Sequence, residues 1–100
     1  MFSKDVLIYQ LCGGSISRIR AMVGGYNFTE IKDGISFNFK LCRKSNLVVI
    51  KYNEGKDLYS MEFLKLNKLG VKSVKLYTDI YGDNIKNVFE SFTGLHLTLQ

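Results

Sequence analysis

The stretch "SRIRAMVGGYNF", residues 17–28, places Arg18 and Arg20 shortly before a glycine pair, Gly24 and Gly25, with Tyr26 and Phe28 just beyond. Two guanidiniums near a glycine turn are the ingredients of a phosphate grip, and an aromatic ring beside them offers a surface for a base to stack on. A phosphate loop, however, needs the GxxxxGK[ST] spacing, its lysine, and a helix opening after the glycines. "VGGYNF" lacks that spacing and that lysine, and no clear helix follows it. The stretch therefore reads as a corner of the chain, with Gly24 and Gly25 present for backbone geometry.

Catalysis is poorly supplied. His96 is the single histidine, flanked by Leu95 and Leu97, and reads as a strand or packing residue rather than a general base. Asp79 and Asp83 stand i, i+4 before an apolar stripe, where a cap and a dipole partner explain both carboxylates without chemistry. Cys12 and Cys42 lie 30 residues apart with no CxxC pair, so the chain cannot supply a zinc site of ordinary ligand count. No catalytic set, metal or cofactor is expected, and the chain reads as a non-enzyme.

Binding is better supplied. The formal net charge is +5, and its distribution says more than its size. Between Asp5 and Glu30 the only charges are Arg18 and Arg20. Between Asp33 and Glu54 stand Lys40, Arg43, Lys44 and Lys51 with no acid; between Glu62 and Asp79 stand Lys65, Lys68, Lys72 and Lys75, again with none. Tyr26, Tyr52, Tyr59 and Tyr77 are interleaved with these windows. Cations and rings on the helix-free face of a sheet hold a single strand of DNA or RNA by stacking and phosphate neutralisation. The candidate contacts are Arg18, Arg20, Lys40, Arg43, Lys44, Lys51 and Tyr26. Arg43 and Lys44 stand adjacent in a turn, so both heads are expected in solvent. No RNP motif, helix-turn-helix or zinc finger is present, so the signal is compositional. The same cations suit an acidic protein partner, for example a bacterial host protein that the chain would block.

These residues must be positioned by one domain, residues 1–100. Leu7, Ile8 and Leu11 share a helical face, with Ser3 as cap and Gly13 or Gly14 as stop. From residue 35 the period becomes two: "ISFNFK", "LVVIKY" (47–52), "LYSMEF" (58–63) and "VKSVKLYT" (71–78) read as strands joined by hairpin turns. Ile85, Val88, Phe89 and Phe92 then form a helical stripe capped by Thr78 or Asp79, stopped at Gly94, with Leu95 folding back. The fold class is α+β: an antiparallel β-meander of four to six strands, with an N-terminal and a C-terminal helix packed on one face. Residues 16–23 fit either a helix or a strand, and strand is the favoured reading. Leu47 and Val49 project away from Val48, Ile50 and Tyr52; the apolar strip so exposed predicts a homodimer. No membrane-spanning run or signal peptide is visible, and a cytoplasmic protein with no membrane partner is expected.

Several pieces in this order, "QLCGGS", "AMVGGYNF", "ISFNFK", "NLVVIKYNEGKDLYSMEF", "TDIYGDNIKNVFESFTGL" and the tail "LHLTL", resemble one family over nearly the whole chain. It is a family of small proteins encoded by phages and prophages of Firmicutes and related gut bacteria. The resemblance implies a phage origin and a life in the cytoplasm of an infected bacterium. It carries over no catalytic residue. In the family the turn at residues 23–26 recurs while its side chains vary, and a lysine is common where this chain has Tyr26, which again favours a turn over a phosphate grip.

Overall fold

Alternation decides which side of each strand is buried. The computed structural model describes residues 4–12, 19–21, 24–40 and 42–95. Helix α1 spans Lys4–Cys12, followed by strands β1 (Tyr26–Ile31), β2 (Gly34–Asn38), β3 (Leu47–Asn53), β4 (Leu58–Asn67) and β5 (Gly70–Ile80). A 3-10 turn, Gly82–Asn84, leads into helix α2, Ile85–Thr93. The five strands form one sheet in the order β1-β2-β3-β4-β5, and every neighbouring pair is antiparallel. The meander and the α+β class are as expected, with both terminal helices short.

The register stacks the apolar positions in rows. Ile35 faces Ile50, which faces Met61; Phe37 faces Val48, which faces Phe63. All six are buried, and they make one side of the sheet the core. Phe89 of α2 meets that side, with ring centroids 6.2 Å from Phe37, 5.3 Å from Phe39 and 5.8 Å from Phe63. Phe92 stacks on Phe63 at 4.2 Å. Leu7, Ile8 and Leu11 of α1 belong to the same buried cluster. Each such side chain contributes about 1.5–3 kcal/mol through burial. Gly34 opens β2 so close to β3 that a Cβ there would collide with the carbonyl oxygen of Ile50.

Two local expectations need correction. Residues 19–21 are helical, not strand. Gly24, at φ +67°, donates its N–H to the Arg20 carbonyl at 3.1 Å, and Gly25 donates to the Ile19 carbonyl at 3.5 Å, so the carbonyls of residues 19–20 are met by the glycine pair in the manner of a helix C-terminus. Ile19 is fully buried while Arg20 is exposed, a division a helix end makes as readily as a strand. Secondly, neither Thr78 nor Asp79 caps α2, because β5 runs through both to Ile80. Asp79 stands at φ +56° in an irregular stretch of the β4–β5 ladder and pairs with Lys56 at 3.3 Å. The N-cap of α2 is Asn84, without a side-chain cap bond. Gly94 does stop the helix, at φ +74°, its N–H bonded to the Glu90 carbonyl at 2.9 Å. Arg18 and His96 lie outside the described residues. None of the described helices is long and apolar enough to cross a membrane.

Candidate nucleic-acid interface

In a meander, alternate connections fall at the same end of the sheet. The β2–β3 connection, residues 39–46, therefore shares an end with the β4–β5 turn, and the β1–β2 and β3–β4 turns share the other. The pairing of Leu47 with Leu64 marks where β3 begins; β4 and β5 run on past it as a two-stranded arm in which Lys65 faces Lys72. Two acid-free windows of the sequence thus meet at one end. Asp33, Glu54, Asp57 and Asp79 collect at or near the opposite end, where they stand among Lys32, Lys51 and Lys56.

Side-chain contacts tie the basic end together. Lys65 Nζ donates to the Arg43 carbonyl at 3.3 Å. Lys44 Nζ donates to the Phe92 carbonyl at 3.3 Å and sits 5.3 Å from the centre of that ring. Phe92 meets Tyr77 edge-on at 6.2 Å, and Lys75 Nζ lies 5.5 Å from the Tyr77 ring. Cation, ring, ring and cation follow one another across β5, α2 and the β2–β3 connection. Toward the β1 edge, Lys40 Nζ lies 5.4 Å from the ring of Tyr26, and the guanidinium of Arg20 lies 5.5 Å from the ring of Phe28. Tyr26 is 40% exposed. Glu62 projects from the other side of the sheet, where it accepts from Ser73 Oγ at 2.7 Å, and Glu90 is held by Lys86 at 3.0 Å. Cations gathered on one low-dielectric surface raise a potential of several kT and concentrate anions there.

Of the candidate residues, Arg20, Tyr26, Lys40, Arg43 and Lys44 come to this end. Lys51 does not: it pairs with Gly34 and Ser60, toward the opposite end and away from the core side. Lys44 is also less free than a turn residue should be, because its ammonium serves the last turn of α2. The candidate set omitted Lys65, Lys72 and Lys75. The alternating ends of a meander, applied to the third acid-free window, were the signal that finds them.

Three of the four tyrosines expected on the helix-free face, Tyr52, Tyr59 and Tyr77, lie on the core side instead, while Tyr26 pairs with Asn38 on the side opposite the core. On β2, β3 and β4 the side opposite the core carries Ser36, Leu47, Val49, Lys51, Leu58, Ser60, Glu62 and Leu64, and no aromatic ring. Tyr52 and Tyr59 lie at the acidic end, their rings 5.1 Å apart, and Tyr52 Oη donates to Asp57 Oδ1 at 2.5 Å. That bond, then burial, then the negative charge of Asp57 push the Tyr52 phenol up to about 12. Burial first, and Asp57 second, raise Tyr59 as well.

A cleft of about 270 Å³ is lined by Tyr77, Asn84, Asn87, Val88 and Ser91, and one of about 250 Å³ by residues including Lys56, Tyr59 and Asp79. Among the described residues no group of three His, Cys, Asp or Glu side chains could hold a metal. No protein-family model, curated protein or solved structure matches the chain.

Proposed function

We propose that the chain is a non-enzymatic, phage-encoded binding protein that contacts single-stranded DNA or RNA through the basic end of its sheet, in the cytoplasm of an infected bacterium. The observation carrying this reading is the meeting of Arg43 and Lys44 with Lys65, Lys72 and Lys75. In the same reading both helices cover the core side, which leaves this end and the two-stranded arm open to a ligand. Phosphates would bind the ammonium and guanidinium groups, and each neutralised phosphate releases counterions, so affinity must fall with salt. Tyr26, exposed beside Lys40, is the ring placed for a base to stack on, a contact worth about 1–3 kcal/mol.

The test is fluorescence anisotropy of a labelled single-stranded oligonucleotide titrated at several salt concentrations. Binding should weaken steeply with salt. Arg43→Ala and Tyr26→Ala should each weaken it at fixed salt, but only Arg43→Ala should flatten the salt slope, by about 0.7 for one lost phosphate contact on a single strand. Absent or salt-independent binding at low salt would sink the reading.

A second reading, a blocker of a host protein such as a defence nuclease, draws on the tip of the arm. Leu69 is 98% exposed there, between Lys68 and Lys72 in the chain. An apolar anchor among cations suits an acidic protein surface with a pocket. A stoichiometric protein captured from bacterial lysate and retained after nuclease treatment would favour this reading over the first.

A further inference from the structure

The side of the sheet opposite the core is as apolar as the basic end is charged. Leu47 and Leu64 are directly paired on it, with Val49 and Leu58 on the same side, all half-buried. Leu76, paired with Glu62, extends the patch onto β5 and is 54% exposed. Water is left against a row of leucines and a valine, a cost that burial removes at about 25 cal/mol per Å².

Charge identifies what covers it. In a chain of net charge +5, this side of β2, β3 and β4 carries one cation, Lys51, and one anion, Glu62. Lys65 and Lys72 alternate to the core side of the arm, so from β2 to β5 the apolar side is neutral. Neither a nucleic acid nor an acidic protein gains from a neutral apolar surface. A second copy does: a two-fold axis brings each Lys51 toward the Glu62 of the other chain, making two equivalent ion pairs around a leucine patch. Lys51 and Glu62 stand on adjacent strands, one on the Lys51–Ser60 pair and the other on the Val49–Glu62 pair. The Ser73 hydroxyl bonded to Glu62 at 2.7 Å steadies the carboxylate for that role.

Edge-to-edge growth of the sheet is disfavoured. β5 carries Lys72 and Lys75 and has irregularities in its ladder at Phe63/Leu64 and Tyr59/Met61; β1 has one between Tyr26 and Thr29. Charged, irregular edges resist pairing with another strand. Area permits the face. Five strands about 4.8 Å apart, crossed by a strand of seven residues rising about 3.3 Å each, give on the order of 550 Å² in projection. Twice that, one face from each partner, clears the roughly 1,000 Å² total that a specific interface needs.

We infer that the sheet face bearing Leu47, Val49, Leu64 and Leu76 packs against the same face of a second copy of the chain, held in register by reciprocal Lys51–Glu62 pairs. Sedimentation velocity on nucleic-acid-free protein tests it, with thermal melts to establish that each variant is folded. The wild type should sediment as a dimer. Lys51→Glu and Glu62→Lys should each weaken dimerisation about tenfold or more, Leu76→Glu should do the same by burying a charge, and the double swap Lys51→Glu/Glu62→Lys should restore it to within a few-fold. A monomer at millimolar concentration, a dimer indifferent to these changes, a double swap no better than either single, or a doubling of mass only with oligonucleotide present would each overturn the inference.

Discussion

Tyr52 shows how much one side chain can report. Its phenol donates to Asp57 at 2.5 Å, and that bond, with burial and the carboxylate charge behind it, raises the phenol from 10.0 to about 12. Because the folded value lies above the unfolded one, the protonated phenol favours the folded state. That contribution is complete below about pH 10 and is lost as pH rises toward about 12. Alkaline titration followed by tyrosinate absorbance should therefore show late-ionising tyrosines, the latest of which Tyr52→Phe removes. Asp57→Asn should bring it down, and is the change its backbone tolerates, since position 57 sits at φ +55°. An unaltered titration in Tyr52→Phe would assign the late proton elsewhere.

At the scale of elements, glycines decide where helices end, and two of them differ in an instructive way. Gly24 and Gly94 both stand at positive φ, +67° and +74°, and both donate to a carbonyl of the preceding turn. A Cβ at Gly94 meets nothing within 4 Å, whereas one at Gly24 meets the Lys40 side chain at 3.1 Å. Gly94→Ala should cost about 1 kcal/mol, the backbone penalty alone. Gly24→Ala should cost more, and should disturb the Lys40–Tyr26 contact besides. Denaturant melts of the two variants give the comparison, and equal losses would mean that Lys40 yields freely. Lys44 belongs to this scale as well. Its ammonium on the Phe92 carbonyl and over the Phe92 ring puts a cation at the C-terminus of α2, where the helix dipole favours it by about 0.3–1 kcal/mol. Its loss would mix stability with binding, which is why Arg43 is the cleaner probe of the basic end.

At the scale of the whole molecule, the meander sorts charge by end, so position matters more than total. Lys56→Ala and Lys72→Ala change the net charge identically, but Lys56 lies in the β3–β4 turn, paired with Asp79 at 3.3 Å, while Lys72 lies on the basic arm. With single-stranded oligonucleotide at low salt, Lys72→Ala should weaken binding several-fold and Lys56→Ala should leave it within about twofold. Exposed pairs such as Lys56–Asp79 contribute little to folding, so both variants should melt near the wild-type temperature. Equal losses would trace affinity to net charge and remove the basic end as a site.

Local chemistry was enough to read most of the architecture. The period-two runs from Ile35 to Thr78 specify strands because each buries one side, and the Ile85–Phe92 stripe with Gly94 specifies a helix and its stop because both signals lie within a few turns of chain. The acid-free windows are likewise written in the sequence. Arg20 and Ile19 could not be assigned locally, since one buried and one exposed neighbour fit either period; the Gly24–Arg20 bond, a contact across the turn, decided it for helix. Asp79 looked like a cap because carboxylates favour helix starts, yet a longer β5 and the Lys56 pairing claimed it first. Which cations become neighbours is a matter of strand register, and register depends on pairing between residues far apart in the chain. Only the tertiary structure could bring Lys65 to Arg43 and set Glu62 of β4 on the strand beside Lys51.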